Sequence, residues 1–343
     1  MSPNRLRVGV VGLGIGQAHL LAYVLDPDRF EVVAIAEPDR ERRDRGAADW
    51  GVPAVPSLDD LLNFELDVVD LCTPPALHEQ QCLTVLESGR HVICEKPLVA
   101  TLGALERLEA AEVAATGRLM PIFQYRFGRG ISQAKAVIDA GLGGPLRLAT
   151  SETSWCRGSD YYSAAWRGTW SGEGGGAVFG HGTHAHDLIS YLAGPLTSVT
   201  GQVATLVNDI ETEDTATGFG RTTDGGLVSM AVTLGSVHEI TRLRFSFQHV
   251  SIESSTAPYE PGDGSWRFDW DDDALADEAE GIWAAMRETP SGFGGQLEAF
   301  HRAVTTGADL PVTLADARRA LELVMGWYES ARTGSAVPLP SSR

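Results

Sequence analysis

Residues Arg7–His19 read RVGVVGLGIGQAH, an apolar run that breaks into closely spaced glycines and then resumes with helical spacing. This order predicts a β-strand, a tight turn and an α-helix. Glycine is needed in the turn because a side chain would block a close approach or forbid the dihedral angles. A strand, turn and helix of this kind present backbone amides to a pyrophosphate, so the stretch predicts a dinucleotide-binding site at Gly12, Gly14, Ile15 and Gly16.

The second apolar run, Glu31–Ala36, supports this interpretation because it ends in Glu37. That carboxylate follows the glycines at about the 20-residue distance typical of dinucleotide-binding units. It can accept hydrogen bonds from both ribose hydroxyls of an adenosine and would repel a 2'-phosphate, so NAD is favoured over NADP. Two observations argue against the dinucleotide-binding interpretation. Gln17 occupies the third glycine position of the usual G-x-G-x-x-G pattern, and Glu37 could be an exposed charge at a strand end.

Composition limits the classes of function. The chain has 343 residues, of which 43% are hydrophobic, and this predicts a globular protein of about two domains. Its 46 acidic and 27 basic residues give a net charge of -19. That balance argues against nucleic acids and anionic membranes as partners, because both would be repelled.

The four cysteines, Cys72, Cys82, Cys94 and Cys156, form no C-x-x-C pair, so no zinc or redox motif is visible. Cys72 and Cys94 lie in apolar runs and are expected to be buried. No signal-peptide pattern precedes the first strand, and no apolar run approaches the ~18 residues needed to span a bilayer. A cytoplasmic enzyme is therefore expected.

Strand and helix patterns alternate up to about Pro121. Such alternation predicts the α/β class, with a doubly wound parallel sheet and helices on both faces. Ligands of these sheets bind at the carboxyl ends of the strands. Four segments follow strand-like runs and are expected to meet at that edge: Gly12–Gly16, Glu37, Thr73–Pro75 and Glu95–Pro97.

The pattern changes in the second half, where strand-like stretches are separated by turns of Gly, Asp or Thr. These stretches lie at residues 146–153, 199–207, 215–221, 226–233 and 243–248, between helical segments at 132–140 and 314–331. We therefore predict a nucleotide-binding domain at 1–123 and, at 124–343, an α+β domain with a large open, mostly antiparallel sheet. Self-association would supply the cover that such a sheet needs. The acidic stretch 269–280 is expected to be an exposed loop or helix start, and 335–343 a tail.

Lys96 stands between Glu95 and Pro97 at the end of a strand-like run. Proline restricts the residue before it to extended geometry, so the lysine is held at the cofactor edge of the sheet. A lysine there could stabilise a developing alkoxide. The alternative is a surface Glu-Lys pair in a loop.

Three of the nine histidines, His181, His184 and His186, fall within a glycine-rich apolar stretch that ends at Asp187. If a helix starts near Thr183, His184 and Asp187 lie on one face, with His181 about one turn earlier. A general base positioned by a carboxylate fits this arrangement, because imidazole titrates near neutral pH. A metal site is the alternative, although no further ligand is apparent. His186 is expected to point elsewhere and to be structural.

Between these two clusters, aromatic residues alternate with arginines. Flat rings can cover the C–H faces of a sugar, and a guanidinium can reach hydroxyls or a carboxylate or sulfonate substituent. The sequence leaves the substituent open. A packed core element with surface arginines is the alternative to a substrate site. The residues concerned are Trp155, Arg157, Tyr161, Tyr162, Trp166 and Arg167.

Taken together, these motifs resemble the Gfo/Idh/MocA oxidoreductases, the relatives of glucose-fructose oxidoreductase and inositol dehydrogenase. The resemblance spans nearly the whole chain, and the E-K-P segment in its context is the most specific part. The matching segments are the glycine turn with His19, Cys72–His78, Gly89–Leu98, Tyr125–Phe127, Trp166-Arg167 before the triple glycine, His184 with Asp187, and Ser330–Pro340.

The resemblance implies a Rossmann domain, a C-terminal sheet domain that forms homodimers or homotetramers, and NAD(P)-dependent oxidation of a sugar or cyclitol hydroxyl. It implies that Lys96 is the catalytic lysine, that His184 is the general base, and that Asp187 contacts substrate or orients His184. Thr73, Pro74, His78 and Glu95 would line the cofactor. The substrate positions expected on this basis are Tyr125, Arg126, Trp155, Arg157, Trp166, Arg167 and Asp187.

One departure from the family pattern bears on the reaction. Many relatives carry an acidic or amide residue four positions before the histidine matched by His184, where this chain has Gly180 followed by His181. His181 could substitute, as a second acid-base residue. An alternative hypothesis is redox-neutral glycoside hydrolysis, in which NAD oxidises a ring hydroxyl transiently and the hydride returns. A third is a non-catalytic NAD-binding sensor, against which the presence of both Lys96 and His184 argues.

Overall fold

The structure, a computed structural model, describes residues 5–262 and 264–340, and the chain forms two compact units. The first unit comprises the chain up to Ile122 together with Phe293–Ala317. The second comprises Phe123–Gly292 and the chain from Arg318 onward. The predicted boundary after residue 123 lies beside the first change of unit. The sequence pattern predicts residues 293–317 in the second domain, whereas the structure groups Phe293–Ala317 with the first unit.

The strands and helices follow one another along the chain in an order that separates the two units. The strands are β1 Leu6–Val11, β2 Phe30–Ala36, β3 Ala54–Val55, β4 Val68–Leu71, β5 His91–Cys94, β6 Leu119–Pro121, β7 Leu146–Cys156, β8 Leu196–Ala204, β9 Thr215–Thr222, β10 Leu227–Thr233, β11 Gly235–Phe247, β12 Val250–Glu253, β13 Arg267–Trp270 and β14 Val337–Pro338. The helices are α1 Gly16–Val24, α2 Arg40–Trp50, α3 Leu58–Leu61, α4 His78–Glu87, α5 Leu102–Ala114, α6 Arg129–Asp139, α7 Trp170–Glu173, α8 Thr183–Ala193, α9 Asp273–Ala284, α10 Gly292–Thr306 and α11 Leu314–Thr333.

The first unit is built on a six-stranded parallel sheet with the strand order β3-β2-β1-β4-β5-β6. Strands buried on both faces read as continuous apolar runs, and Val8 and Val10 of β1 are fully buried. The strand order reverses between β1 and β4, which is where a doubly wound sheet binds its ligand. The predicted parallel α/β domain is confirmed.

The second unit is built on an eight-stranded sheet with the order β13-β12-β11-β7-β10-β9-β8-β14. Its strand pairs are antiparallel except for β7 with β10, so the predicted mostly antiparallel sheet is confirmed. Burial alternates along β9 and β10, which gives the sheet one buried and one exposed face. On the buried face Trp327 fits beneath Gly201 and Gly218, where an added Cβ would lie 2.3 and 2.8 Å from the Trp327 ring.

The acidic stretch 269–280 contains the start of helix α9 at Asp273, so the predicted helix start is confirmed, while its first two residues end the strand β13. One sequence prediction needs correction in the second unit. The expected C-terminal tail contains β14, which pairs with β8 and forms the edge of the sheet. The last three residues of that tail lie outside the described part of the chain. In the described segments, no helix combines the length and apolar character needed to cross a membrane.

Candidate functional site

The glycine turn leaves bare backbone between β1 and α1. Gly12 has a φ of 92°, and a Cβ there would lie 2.6 Å from the carbonyl oxygen of Cys72. A Cβ on Gly14 would meet no atom within 4 Å, so this glycine faces open space. Helix α1 begins at Gly16, which places its N-terminal amides next to that space. The turn thus has the form of a cradle that fits a pyrophosphate.

Glu37 at the end of β2 is tied to the glycine turn. Its carboxylate accepts a hydrogen bond from the amide of Leu13 at 3.0 Å, and Arg42 lies 3.2 Å from the same oxygen. The side chain is only 4% exposed. The carboxylate therefore stands beside the cradle, where the sequence analysis expected it.

His78 joins the two segments that follow β4 and β5. Its Nδ1 lies 2.9 Å from the carbonyl oxygen of Pro97 and its Nε2 lies 2.8 Å from that of Thr73. Burial lowers the pKa of His78, against the opposing effect of these carbonyls. The imidazole holds together the two loops that the sequence analysis assigned to the cofactor edge, including Thr73-Pro74.

A buried network supports the segment that carries Lys96. His19 Nδ1 lies 2.8 Å from Asp70 and its Nε2 lies 3.1 Å from Glu95, and the Tyr23 hydroxyl donates to Asp70 at 2.8 Å. Burial alone would lower the pKa of His19, but the charge of Asp70 holds it well above its usual value. Burial alone would raise the pKa of Glu95, but the hydrogen bond and charge of His19 hold it low. Ionised carboxylates only accept, so His19 donates from both nitrogens as an imidazolium.

The second oxygen of Glu95 accepts a hydrogen bond from the backbone amide of Lys96 at 2.9 Å. Glu95 is therefore held by His19 on one side and holds Lys96 on the other. Lys96 is half-buried, and its peptide bond to Pro97 is cis. The hydrogen bonds of Glu95 thus hold the backbone of Lys96 at the carboxyl end of β5.

Three potential metal-ligand atoms, one each from His19, Asp70 and Cys72, lie within 4.8 Å of one another. Burial, together with the charge of Asp70, raises the pKa of Cys72 to about 12. The Cys72 thiol donates to one oxygen of Asp70 at 3.5 Å and His19 contacts the other, so hydrogen bonds join the three side chains.

In the second unit, helix α8 begins at Thr183, as the sequence predicts. His184 and Asp187, three residues apart, therefore lie on one face of this helix. His184 stacks on Tyr125 with ring centroids 4.5 Å apart. His181 ends a π-helical turn, Ala177–His181, and its ring lies 5.9 Å from that of Trp155 and 5.5 Å from that of Tyr161. His181 and His184 are 7% and 3% exposed. The structure thus sets both histidines among aromatic rings.

The third histidine, His186, has the structural placement that the sequence analysis expected. It is buried against Trp327 with ring centroids 5.2 Å apart, and burial lowers its pKa to about 4. Among the described residues, neither of its ring nitrogens has a hydrogen-bond partner. Its ring replaces an apolar side chain in this core.

Asp187 and Arg126 form a buried bidentate ion pair. Arg126 Nε and Nη2 donate to the two carboxylate oxygens at 2.7 and 2.5 Å. The guanidinium also lies over the ring of Tyr191, 4.6 Å from its centroid. This pair fixes the first turn of α8, on which His184 lies.

Arg157 is surrounded by the rings of Trp155, Tyr161 and Tyr259, with centroids 5.2, 5.3 and 5.4 Å from the guanidinium carbon. Its Nη1 donates to Glu239 and to the hydroxyl of Tyr259, both at 3.1 Å. Together with His181, these residues form a cluster that we call the arginine box: Trp155, Arg157, Tyr161, His181, Glu239 and Tyr259.

Arg167 adjoins the arginine box. Its guanidinium carbon lies 3.9 Å from the centroid of Tyr161 and 4.4 Å from that of Trp166, and its Nη1 lies 3.6 Å from Glu173. Two of the predicted arginines are therefore brought together on the ring of Tyr161. The alternation of aromatic residues and arginines in the sequence corresponds to a spatial cluster.

Glu213 is a positioning residue that the sequence analysis missed. One oxygen accepts from the amide of Val178 at 2.9 Å and from the Tyr328 hydroxyl at 2.8 Å, and the other accepts from the amide of Gly176 at 3.2 Å. A Cβ on Gly176 would lie 1.9 Å from the carbonyl oxygen of Glu213, so only glycine fits this approach. Glu213 thereby holds the segment that leads to His181.

Asp70 and Glu239 are two further positioning residues that the sequence did not predict. The only local signal for Asp70 is a carboxylate inside an otherwise apolar strand. Glu239 lies on β11 and carries no signal that the sequence alone could reveal.

Comparisons with known proteins identify the family of the chain. The family model described as an oxidoreductase family with an NAD-binding Rossmann fold matches residues 6–123, and the model of the GFO/IDH/MocA C-terminal domain matches residues 131–253. The chain therefore belongs to the Gfo/Idh/MocA family of oxidoreductases. This confirms the resemblance drawn from the sequence.

Individual relatives include sugar and cyclitol dehydrogenases. Inositol 2-dehydrogenase 4 of Saccharopolyspora erythraea is 37% identical over 43% of this chain and 45% of that protein. The scyllo-inositol 2-dehydrogenase (NADP(+)) IolW of Bacillus subtilis is 25% identical over 98% of this chain and 96% of that protein. The match to the first of these spans about half its length.

Among solved structures, the WlbA dehydrogenase from Bordetella pertussis, in complex with NADH and UDP-GlcNAcA, has a TM-score of 0.87 and 27% identity. The match covers 98% of this chain and 100% of that one. The levoglucosan dehydrogenase in complex with NADH has a TM-score of 0.83 at 23% identity, which indicates a shared fold.

Proposed function

We propose that this protein is an NAD-dependent dehydrogenase that oxidises a hydroxyl of a monosaccharide, cyclitol or related polyol. The observation that carries the proposal is the support of Lys96: its backbone is held by Glu95, which a buried imidazolium holds in turn. A residue fixed in this way at the carboxyl end of a central strand is suited to catalysis, because catalytic groups need a supported geometry. The family membership and the names of the relatives support the same reaction class.

The cradle at Gly12, Gly14, Ile15 and Gly16 would hold the pyrophosphate of the cofactor, and Glu37 would accept hydrogen bonds from the adenosine ribose. Thr73, Pro74, His78 and Glu95 belong to the segments that would line the rest of the cofactor. When bound, NAD supplies a hydride acceptor. We propose NAD rather than NADP because Glu37 would repel a 2'-phosphate.

In the proposed reaction, His184 removes the proton of the substrate hydroxyl and Lys96 stabilises the alkoxide that develops. With NAD bound as the hydride acceptor, the net products would be a carbonyl compound, NADH and a proton. His181 is a second acid-base candidate beside Gly180.

Asp187 and Arg126 act as a pair that positions the helix carrying His184. The rings of Tyr125, Trp155 and Trp166 would cover substrate C–H faces, while Arg157 and Arg167 would donate to hydroxyls.

Redox-neutral glycoside hydrolysis is the second candidate, and Gly180 is the observation that favours it. A Cβ at Gly180 would meet no atom within 4 Å, so the position of the acidic or amide residue of other family members borders open space. An altered acid-base arrangement there suits a different net reaction. A non-catalytic NAD-binding sensor is the third candidate.

One incubation series separates the three candidates. Purified protein with NAD is given free sugars, cyclitols, sugar acids, simple glycosides and UDP-GlcNAcA, and NADH absorbance and product mass are both recorded. The proposed dehydrogenase accumulates NADH with a product two hydrogens lighter than its substrate. NAD-dependent glycoside cleavage without NADH would contradict it in favour of the redox-neutral reaction. Cofactor binding without turnover of any compound would leave the sensor.

We further propose that a second copy of the chain covers the exposed face of the eight-stranded sheet. This face holds a depression of about 700 Å³ whose lining includes Glu152, Arg242 and Arg244. Leu148, Phe219 and Leu227 are large apolar residues exposed on the sheet. A face with both charge signs and apolar residues can pair with itself around a two-fold axis.

Sedimentation measures this association directly. Phe219→Asp is expected to convert a homodimer or homotetramer into a smaller species. Val113→Asp, which alters an exposed apolar residue of α5, is the matched control and should leave the mass unchanged. A monomeric wild-type chain at micromolar concentration would contradict the proposal.

A further inference from the structure

The arginines that the sequence analysis assigned to substrate binding are all paired with carboxylates, and this bears on the charge of the substrate. The pairs are Arg126 with Asp187, Arg157 with Glu239, and Arg167 with Glu173. We propose that the substrate is an uncharged polyol, either a neutral monosaccharide or a cyclitol, and that sugar acids are rejected. This inference rests on the proposed function.

The ion pair between Arg157 and Glu239 is well supported. Nη1 of Arg157 donates to Glu239 at 3.1 Å and to the carbonyl oxygen of Cys156 at 2.6 Å. The side chains of Arg157 and Glu239 are 17% and 27% exposed. A partly desolvated pair of this kind is costly to separate, because the partner left behind is an uncompensated charge. An incoming carboxylate would therefore have to compete with Glu239 or lie next to it.

Glu239 is itself held by more than Arg157. It accepts from the backbone amide of Cys156 at 2.8 Å and from the hydroxyl of Tyr259 at 2.6 Å. Burial alone would raise its pKa, but these hydrogen bonds and the charge of Arg157 hold it below its usual value. Glu239 is thus a fixed negative charge in the arginine box.

The remaining charges of this region do not favour an anion. Arg167 lies 3.6 Å from Glu173, and the Arg126 pair is buried and bidentate. The three arginines are therefore matched by three carboxylates. A sugar acid would find no unpaired cation among these arginines, whereas a neutral sugar would meet no charge penalty.

The arginine box still offers hydrogen-bond donors to a neutral ring. A guanidinium has five N–H groups, and the hydrogen bonds that the Arg157 guanidinium makes to described residues all use Nη1. The N–H groups on Nε and Nη2 can donate to hydroxyls. Tyr161, which lies beside His181 and is half-buried, offers ring surface to the C–H face of a sugar or cyclitol, while Trp155 is only 5% exposed and supports the box from behind. An arginine whose charge is balanced by Glu239, next to an aromatic ring, offers hydrogen-bond donors without a net positive charge. This combination suits a neutral polyol.

The test compares sugars that differ only by oxidation of one CH₂OH group to a carboxylate. The NADH-loaded protein is titrated by calorimetry with D-glucose and D-glucuronate, with D-galactose and D-galacturonate, and with myo-inositol. We expect at least one neutral compound to bind, and to bind more tightly than any acid by about 10-fold or more, the value of one unfavourable charge contact. Equal or tighter binding of an acid overturns the inference, and so does failure of every neutral compound to bind.

Glu239→Gln tests the cause of this selectivity. Without the Glu239 charge, the ratio of the affinity for the sugar acid to that for its neutral partner is expected to rise about 10- to 100-fold. Glu329→Gln is the matched control, since it removes the carboxylate of the exposed Arg332 pair on α11. No rise in this ratio in Glu239→Gln overturns the inference. If that variant does not fold, Glu173→Gln tests Arg167 in the same way.

Binding and turnover keep the two proposals apart. NADH production by any sugar supports the dehydrogenase, whether the preferred sugar is neutral or acidic. Preference for an acid with NADH production would leave the dehydrogenase standing and remove only the inference on charge. Tight binding of neutral sugars without any turnover would support the inference on charge and contradict the dehydrogenase.

Discussion

His19 donates to Asp70 across 2.8 Å, and both side chains are completely inaccessible to solvent. The same imidazole contacts Glu95 at 3.1 Å, so one buried cation lies between two buried carboxylates. Removing the cation would leave both carboxylates uncompensated in a region of low dielectric constant. The stability of the first unit therefore depends on His19.

We expect His19→Gln to lower the free energy of unfolding by about 3–5 kcal/mol, the usual cost of breaking a buried ion pair. Urea denaturation measures the change. His249→Gln is the matched control, because His249 contacts Asp271 at 3.2 Å on the exposed surface, and its loss should cost about 0.5 kcal/mol or less. A cost for His19→Gln as small as that of the control would contradict the buried imidazolium.

The same network predicts how stability depends on pH. The pKa of His19 is raised in the folded protein, so its contribution is complete below its unfolded value of 6.5 and is lost as pH rises through the folded value. The pKa of Glu95 is lowered, so its contribution is complete above its unfolded value of 4.5 and is lost as pH falls through the folded value. The difference in unfolding free energy between wild type and His19→Gln should be largest between these two values. A pH-independent difference would argue for neutral His19.

Lys96→Met is expected to lower kcat by about 10²–10⁴ while NADH binding is retained, because only the group that stabilises the alkoxide is lost. The chain has one other lysine, Lys135, which pairs with Asp139 on α6. Lys135→Met is therefore the control and should keep its kcat. Steady-state NADH production and NADH fluorescence titration supply the two readings. A kcat for Lys96→Met close to that of the control would remove the assignment.

His184→Asn is expected to reduce kcat by about 10²–10⁴ with little change in NADH affinity, since the general base is lost and the cofactor cradle lies in the other unit. His238→Asn, at an exposed position of β11, serves as its control. A comparable loss in His181→Asn and little loss in His184→Asn would transfer the role of general base to His181.

Glu37→Ser is expected to shift cofactor preference toward NADP. The substitution removes the charge that would repel a 2'-phosphate and leaves Arg42, now 3.2 Å from Glu37, without this carboxylate. The ratio of NAD to NADP affinity should fall by about 10- to 100-fold, the value of one charge-assisted hydrogen bond. Glu41→Ser, which removes the partner of Arg45 on the same helix, is the control. An unchanged ratio would show that Glu37 does not face the ribose.

Local patterns in the sequence predicted most of the two sheets. Buried parallel strands read as short apolar runs and amphipathic strands alternate, so both are visible over a few residues. The patterns did not reveal β3 and β14, each only two residues long, or the four-residue strands β12 and β13. They also gave no sign that Phe293–Ala317 belongs with the first unit, because a helical pattern does not specify which sheet it covers.

The sequence by itself determined the local motifs on which the proposed chemistry rests: the glycine turn, Glu37, the segment of Lys96, and the stretch of His181 and His184. Each is a local motif that proximity in the chain makes recognisable. The partners of these groups could not be predicted, because they lie far away in the sequence. Asp70 is 51 residues from His19, and Glu239 is 82 residues from Arg157.

Only the tertiary structure decided the charge of the candidate substrate region. From the sequence, Arg157 and Arg167 were equally suited to hydroxyls and to a carboxylate. An ion pair between distant segments has no periodicity that a sequence could display, because it depends on which strands lie side by side. Pairing with Glu239 and Glu173 neutralises both arginines, and this long-range geometry turns an aromatic and cationic sequence pattern into a region suited to neutral polyols.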